Sequence, residues 1–386
     1  MKKFILTLAL SLPFMAAMAQ EEAADTTGIR FLHGTYAEAI TAAKEAGRLL
    51  FVDCYTQWCG PCKQLSKVTF KDPAVAELYN ESFTCLKLDM ETPDGVAQKD
   101  HLGVNAYPTL VFVDPNTNEV VHKIVGYSGP EEFLKRTVSG ISGNNISTMT
   151  SRYEAGERSD EFMKEYFHVL AEANATDKLT ALVPGWLDDK CEAMLTDKDL
   201  FSYFMAYVND PYSKPFRYFL DNKTAFAEQY GAQMATMKEG RVWPSFGRTY
   251  VSKADDGTYS LDEKGFAGYK KYMKENKVKD AAKIELGTRM YLNECNKNWK
   301  EYIACGSKLI SKYDIDALEV YNWGLRVDKN CTDPKLRNQA AGWCDDAARE
   351  IEAATAAQGN TGAMMMRMGP QATHFTALAR KLRGEE

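Results

Sequence analysis

Phe51-Val52-Asp53-Cys54-Tyr55-Thr56-Gln57-Trp58-Cys59-Gly60-Pro61-Cys62-Lys63 is the stretch that decides the reading of this chain. Leu49 to Val52 is a short continuous apolar run, the pattern of a strand covered on both faces. After the second cysteine, Leu65, Val68, Val75 and Leu78 recur at helical spacing, with Asp72-Pro73 as an interruption. Two cysteines separated by two residues therefore fall at a strand-to-helix junction. Such a pair closes a small disulfide or opens to a dithiol that exchanges with a third sulfur on another molecule. Cys59 falls at or just before the first helical turn. Unpaired backbone N–H groups and the positive end of the helix dipole stabilise an anion there, and lower a thiol pKa from about 8.5 toward neutrality. Cys59 is thus expected to attack, and Cys62, one turn further in and less exposed, to resolve. The other readings are an inert disulfide and half of a zinc site. Zinc needs two more ligands, and His101 and Cys85 are the nearby candidates; no metal and no cofactor is expected.

Working outward, Tyr36, Ala39, Ile40 and Ala43 mark a helix that Gly47 stops. Further strands are expected over Phe83–Leu88, Tyr107–Val113 and Val120–Val125, with a last helix over Glu131–Val138. The order α-β-α-β-α-β-β-α describes one α/β domain with a mixed sheet.

The same residues resemble the thioredoxin family. The likeness runs from Phe51–Lys63 through Leu86-Lys87-Leu88-Asp89 and Tyr107-Pro108-Thr109 to Val125-Gly126. Lys67-Val-Thr-Phe-Lys-Asp-Pro-Ala-Val75 and the longer first helix are similar to the subgroup containing the periplasmic domains of thiol–disulfide interchange proteins. The resemblance implies a catalytic set of Cys59, Cys62, Asp53 and Lys87. Asp53 matches the family's buried acid, whose pKa desolvation raises and which accepts the Cys62 proton. It also implies a substrate-binding surface of Trp58, Gly60, Pro61, Tyr107, Pro108 and Thr109. Pro108 matches the family's cis-proline facing the CxxC, beside which the Tyr107 backbone pairs with an extended substrate. Tyr55 stands where thioredoxins commonly have tryptophan. Lys67 stands where they have a kinking proline, which leaves the depth of Cys62 open.

Cys54 and Cys85 read as small core residues: with Lys87 near Asp53, as the resemblance implies, strand alternation turns them to opposite faces. Cys331 and Cys344 are separated by about ten helical residues, roughly 15 Å, too far for a disulfide. The chain has nine cysteines, an odd number, so at least one thiol stays free or pairs between molecules.

Lys2 and Lys3 ahead of an apolar run ending Ala17-Met18-Ala19 read as a signal peptide over 1–19. Residues 20–34 form a lead-in, and the thioredoxin-like domain spans 35–142. Ile141–Ser147 is the expected linker. Residues 150–356 carry helical periodicity and are expected to form an all-α domain, with a loose tetratricopeptide-like repeat over 280–355. Residues 357–386 read as a tail. Its Met364–Met368 run, with His374, suits docking on the helical domain better than copper(I).

The formal net charge is −6, which favours neither nucleic acid nor an anionic membrane. The leading expectation is a periplasmic or secreted thiol–disulfide oxidoreductase that reduces or isomerises protein disulfides. It is inserted in no membrane after signal cleavage, and the resemblance implies recharging by a membrane-embedded electron donor. The alternative is an interaction protein whose helical domain recruits partners while the thioredoxin-like domain acts as a clamp.

Overall fold

The computed structural model describes residues 28–141, 143–362 and 369–385. The expected signal peptide and the Met364–Met368 run lie outside the described residues. The chain forms two compact units, one ending at Leu179 and one beginning at Thr180.

In the first unit β1 (Phe31–Leu32), α1 (Tyr36–Ala46), β2 (Leu49–Tyr55), α2 (Gly60–Lys67), α3 (Pro73–Ser82) and β3 (Phe83–Asp89) follow in order. Then come α4 (Pro93–Gln98), β4 (Thr109–Asp114), β5 (Glu119–Val125), α5 (Pro130–Ile141), α6 (Ile146–Glu154) and α7 (Asp160–Glu172). Local chemistry places the boundaries. Thr35 and Glu38 form a capping box at α1, and Gly47 closes that helix in the left-handed conformation at φ 63°. Asp72 caps α3 directly ahead of Pro73, so the expected interruption is a helix break with one 3₁₀ turn, Thr69–Lys71, before it.

The sheet order is β1-β3-β2-β4-β5. β1 and β2 run parallel to β3, and β4 runs antiparallel to both β2 and β5. β1 was absent from the expected order: two residues are too few to show a period, and their pairing to Cys85 and Leu86 comes only with the fold. The sheet buries both faces. One core holds Leu50, Val52, Cys54, Leu86 and Val111 under α1. The other holds Phe51, Leu65, Phe83, Cys85 and Phe112 with Phe133 of α5. Cys54 and Cys85 therefore lie in opposite cores as unpaired thiols. The first unit runs on past the expected linker, because α6 and α7 pack against β5.

α8 (Thr176–Trp186) leads into the second unit, with α9 (Lys198–Tyr207), α10 (Lys214–Asp221), α11 (Lys223–Tyr230) and α12 (Ala232–Arg248). There follow β6 (Val251–Lys253), β7 (Tyr259–Leu261), α13 (Glu263–Glu275), α14 (Ala281–Cys295), α15 (Trp299–Lys312), α16 (Ala317–Asn330), α17 (Pro334–Gly362) and α18 (Ala372–Arg383). This unit is largely helical. The β6–β7 hairpin is the exception among the described residues, its three-residue strands being too short for alternation to register. α18 lies within the segment read as a tail. Phe375, Leu378, Ala379 and Leu382 are buried in one core with Trp343 and Cys344 of α17, and their spacing is a one-faced helical stripe. No described helix is long and apolar enough to cross a membrane.

Candidate active site

Cys59 is the N-cap of α2, and Pro61 sits in the first turn, where its missing N–H costs no helical hydrogen bond. The Cys59 sulfur is bonded to that of Cys62 and also accepts a hydrogen bond from the Cys62 amide at 3.1 Å. Both cysteines are equally covered, each 3% exposed. The expected difference in exposure between them is therefore not found, because the disulfide folds the Cys59 side chain back over the helix start. Gly60 has open space where a side chain would stand, which leaves the approach to the disulfide clear.

β2 carries Asp53 beneath this helix. Phe51, two residues earlier on the same face, shares a core with Leu65 of α2. Asp53 is 1% exposed, and neither carboxylate oxygen accepts a hydrogen bond. Burial pushes its pKa up to about 6, with Lys87 opposing. Lys87 is paired in register with Asp53 on the neighbouring strand. Its Nζ lies 3.5 Å from Asp53 Oδ2 and donates to Ser66 Oγ of α2 at 2.6 Å. The ammonium also lies 5.0 Å from the Tyr55 ring centroid and 5.9 Å from that of Phe70. Sheet, acid, lysine and active-site helix are thus joined in one chain of contacts.

The Tyr107-Pro108 bond is cis. Both ladders of β4 begin only at Thr109, paired to Cys54 and Val125, while the Pro108 carbonyl accepts from Gly126 N at 2.9 Å. Thr109 is fully buried and its hydroxyl donates to the Ala106 carbonyl, so it braces the turn rather than facing outward. Trp58 is 67% exposed. Its Nε1 donates to Glu91 Oε1 at 2.8 Å, and its ring meets Tyr107 edge to face. The residue before Cys59 therefore touches the residue before Pro108.

Of the residues expected at the site, the structure brings Cys59 to Cys62, Asp53 to Lys87 and Trp58 to Tyr107, with Gly60 and Pro61 between. Sequence reasoning missed Ser66 and Glu91, whose roles as partners of Lys87 and Trp58 leave no spacing signal. The remaining thiols of this unit do not compete. Burial pushes Cys85 up to about 12 and Cys54 well above the ordinary thiol value. Among the described residues no cluster of three or more His, Cys, Asp or Glu side chains is placed to hold a metal ion. The arrangement can pass two electrons and a proton: a disulfide that opens to two thiols, and a buried carboxylate that titrates near neutrality.

A family model described as thioredoxin-like matches residues 31–115. The thiol:disulfide interchange protein DsbD of Tatumella citrea is 32% identical over 105 residues, which is 26% of this chain and 18% of that protein. This chain thus spans under a fifth of the interchange proteins that it matches. Thioredoxin H4 of Arabidopsis thaliana is 36% identical over 84 residues, 22% of this chain and 65% of that one. A solution structure of a candidate disulphide-isomerase from Bacteroides thetaiotaomicron is 47% identical, with a TM-score of 0.28, covering 30% of this chain and 94% of that one.

Proposed function

Because residues 31–115 make the N-terminal part of this chain a member of the thioredoxin-like family, we propose that the protein is a protein thiol–disulfide oxidoreductase working through Cys59 and Cys62. The observation that carries this reading is the Cys59–Cys62 disulfide at the start of α2, with the Asp53–Lys87 pair under the same helix.

In the reductive direction the Cys59 thiolate attacks one sulfur of a substrate disulfide. The substrate S–S bond breaks, its second sulfur leaves as thiolate, and a mixed disulfide to Cys59 remains. Cys62 then gives up its proton, attacks the Cys59 sulfur and releases the substrate's first sulfur. The product is the Cys59–Cys62 disulfide, and the substrate has gained two electrons. The helix start holds the Cys59 thiolate through its unpaired N–H groups, as the amide contact from Cys62 illustrates. Asp53 accepts the Cys62 proton, a role suited to a carboxyl with a pKa of about 6. Lys87 positions that carboxylate and tempers its burial. Trp58, Gly60, Pro61, Tyr107 and Pro108 shape the surface on which an extended substrate lies, strand against strand beside Tyr107, and Thr109 braces it from beneath.

The proposal extends to export through residues 1–19, to work in a periplasmic or secreted setting, and to recharging by a membrane-embedded electron donor. The helical unit is then a docking platform for substrate or donor.

Two experiments test the reading. The purified protein is expected to reduce insulin with dithiothreitol as donor; a rate no higher than background overturns it. A Cys62→Ser variant is expected to trap substrates on Cys59 as mixed disulfides. An empty trap, with unchanged partner binding by Cys59→Ser, favours a clamp over an enzyme. The reduction potential of the pair then sets direction: near about −270 mV supports reduction and near about −120 mV oxidation.

A further inference from the structure

The second unit holds a cavity of about 640 Å³, open to solvent on one side, within the size range of small-molecule sites. It lies between α12, α14, α15 and α16, far in sequence from the cysteine pair. Its wall is unusual in three ways.

First, it leaves buried polar atoms unmatched. Trp243 Nε1 and Thr288 Oγ1 have no hydrogen-bond partner although both residues are at least 98% buried. The Tyr302 hydroxyl, beside Arg326, makes no well-directed hydrogen bond either. Thr288 Oγ1 lies against Gly247 and the Trp243 ring against Phe216 and Tyr269, so these atoms sit behind the wall and polarise it from within. Second, the wall is aromatic, with Tyr291 and Trp323 joining Trp243 and Tyr302. Third, it is cationic. Lys223 is paired with Glu239, and Arg326 with Glu294 at 3.2 Å. Arg248, Lys277, Lys279 and Lys283 outnumber the remaining lining acids, Asp280 and Glu319; Arg248 lies over the Tyr291 ring and Lys283 donates to the Asp314 carbonyl. Gly287 of α14 and Gly240 of α12 also line the cavity, and a Cβ built on either meets nothing within 4 Å. Glycine in a helix interior is unfavourable, so two of them beside open space keep that space open.

We infer that this cavity binds one small amphipathic organic anion: an acid with an apolar or aromatic body. The body lies against Tyr291 and Trp323, and the acid group lies toward Arg248 and Lys283. The site is independent of the thiol chemistry and stands or falls separately from it.

The probe is 8-anilino-1-naphthalenesulfonate, titrated into the full oxidised chain by fluorescence and calorimetry, with neutral N-phenyl-1-naphthylamine as comparison. The expected result is one equivalent bound, with the sulfonate about tenfold tighter than the neutral compound. Gly287→Leu fills the cavity while improving helix propensity, so it is expected to weaken binding about tenfold or more without lowering the melting temperature. Gly240→Leu on the facing helix repeats the block from the other side. Arg248→Gln with Lys283→Gln is expected to erase the preference for the sulfonate and to spare the neutral probe. Binding unchanged in both glycine variants, several equivalents bound, or equal affinity for the two probes each overturns the assignment.

Discussion

Trp58 and Tyr107 meet edge to face, ring centroids 5.8 Å apart and planes at 84°. One precedes the first active-site cysteine on the β2–α2 turn; the other precedes the cis proline at the mouth of β4. Their contact ties together two loops that are 49 positions apart in sequence. Glu91, in the turn after β3, accepts a hydrogen bond from the indole Nε1. An aromatic ring two-thirds exposed yet fixed at two points is a rigid apolar anchor, which costs a partner little ordering entropy to use.

Removal of that anchor is expected to weaken protein substrates more than small ones. Trp58→Ala is predicted to raise KM for reduced-insulin formation about tenfold, the equivalent of about 1.4 kcal/mol. Turnover of a small aromatic disulfide should change by less than about threefold, on the same scale. Glu91→Gln keeps the hydrogen-bond acceptor and should behave nearly as wild type. Equal losses on both substrates would instead place Trp58 in the chemical step. Steady-state kinetics on the two substrates separates these outcomes.

Asp53 carries a stability signature as well as a proposed proton. Its folded pKa, about 6, lies above the ordinary 3.8. Between those values the folded chain binds the extra proton. The associated stability is therefore complete below pH 3.8 and lost as pH rises through 6. The gap corresponds to roughly 3 kcal/mol at pH 8. Asp53→Asn removes the buried charge, so it is predicted to be more stable than wild type by that order at pH 8 and equal to it near pH 3.5. Urea unfolding of the oxidised form at the two pH values checks this. The same variant should slow the first step, attack by Cys59, only a little, and resolution of the mixed disulfide by Cys62 much more.

His122 works in the opposite sense. It is 1% exposed on β5, and among the described residues neither ring nitrogen makes a well-directed hydrogen bond. Burial, with Arg136 nearby, pulls its pKa down to about 4 from 6.5. Here the unfolded chain takes the proton first, so stability is present above pH 6.5 and lost as pH falls through 4. His122→Leu is predicted to flatten the acid limb by roughly 3 kcal/mol at most, read from melting temperatures between pH 7 and pH 4. The ring also closes on α5: a Cβ on Gly140 would lie 2.1 Å from His122 Cδ2. Gly140→Ala should therefore cost about 1–3 kcal/mol at neutral pH.

The sequence disclosed the elements whose chemistry is local. Proline, glycine and capping residues set α1, α2 and α3, and the cysteine pair announced its strand–helix junction. The opposite faces of Cys54 and Cys85 followed from alternation once the resemblance had placed Lys87 beside Asp53. What stayed hidden depended on partners distant in the chain. β1 is defined only by its pairing to β3. Ser66 and Glu91 matter only through the side chains they meet. α18 had a legible stripe at Phe375, Leu378, Ala379 and Leu382, but the polar, glycine-bearing stretch before it drew attention to the segment's composition instead of its period.

That helix supplies the last prediction, through Arg337 near the start of α17. Its Nε donates to the Leu382 carbonyl at 3.0 Å, and its Nη2 to the Lys381 carbonyl at 2.8 Å, both at the end of α18. Nη1 donates to the carbonyls of Asp328 and Cys331, and Nη2 also pairs with Asp328 Oδ1 at 2.8 Å. One guanidinium thus closes the ends of α16 and α18 at once, a fork geometry that lysine lacks. Asp328, largely buried, would keep only Lys381 as its cation. Breaking a buried pair by removing one partner costs about 3–5 kcal/mol, so Arg337→Met should destabilise the second unit by that order. The loss should begin at α18: limited proteolysis is expected to remove residues after Gly369 first, with the proposed thiol–disulfide activity of the first unit retained. Arg337→Lys should recover less than half of the loss, because a single ammonium cannot reach both helix ends. If instead Arg337→Met leaves the protease pattern unchanged, α18 is held by its four apolar side chains alone.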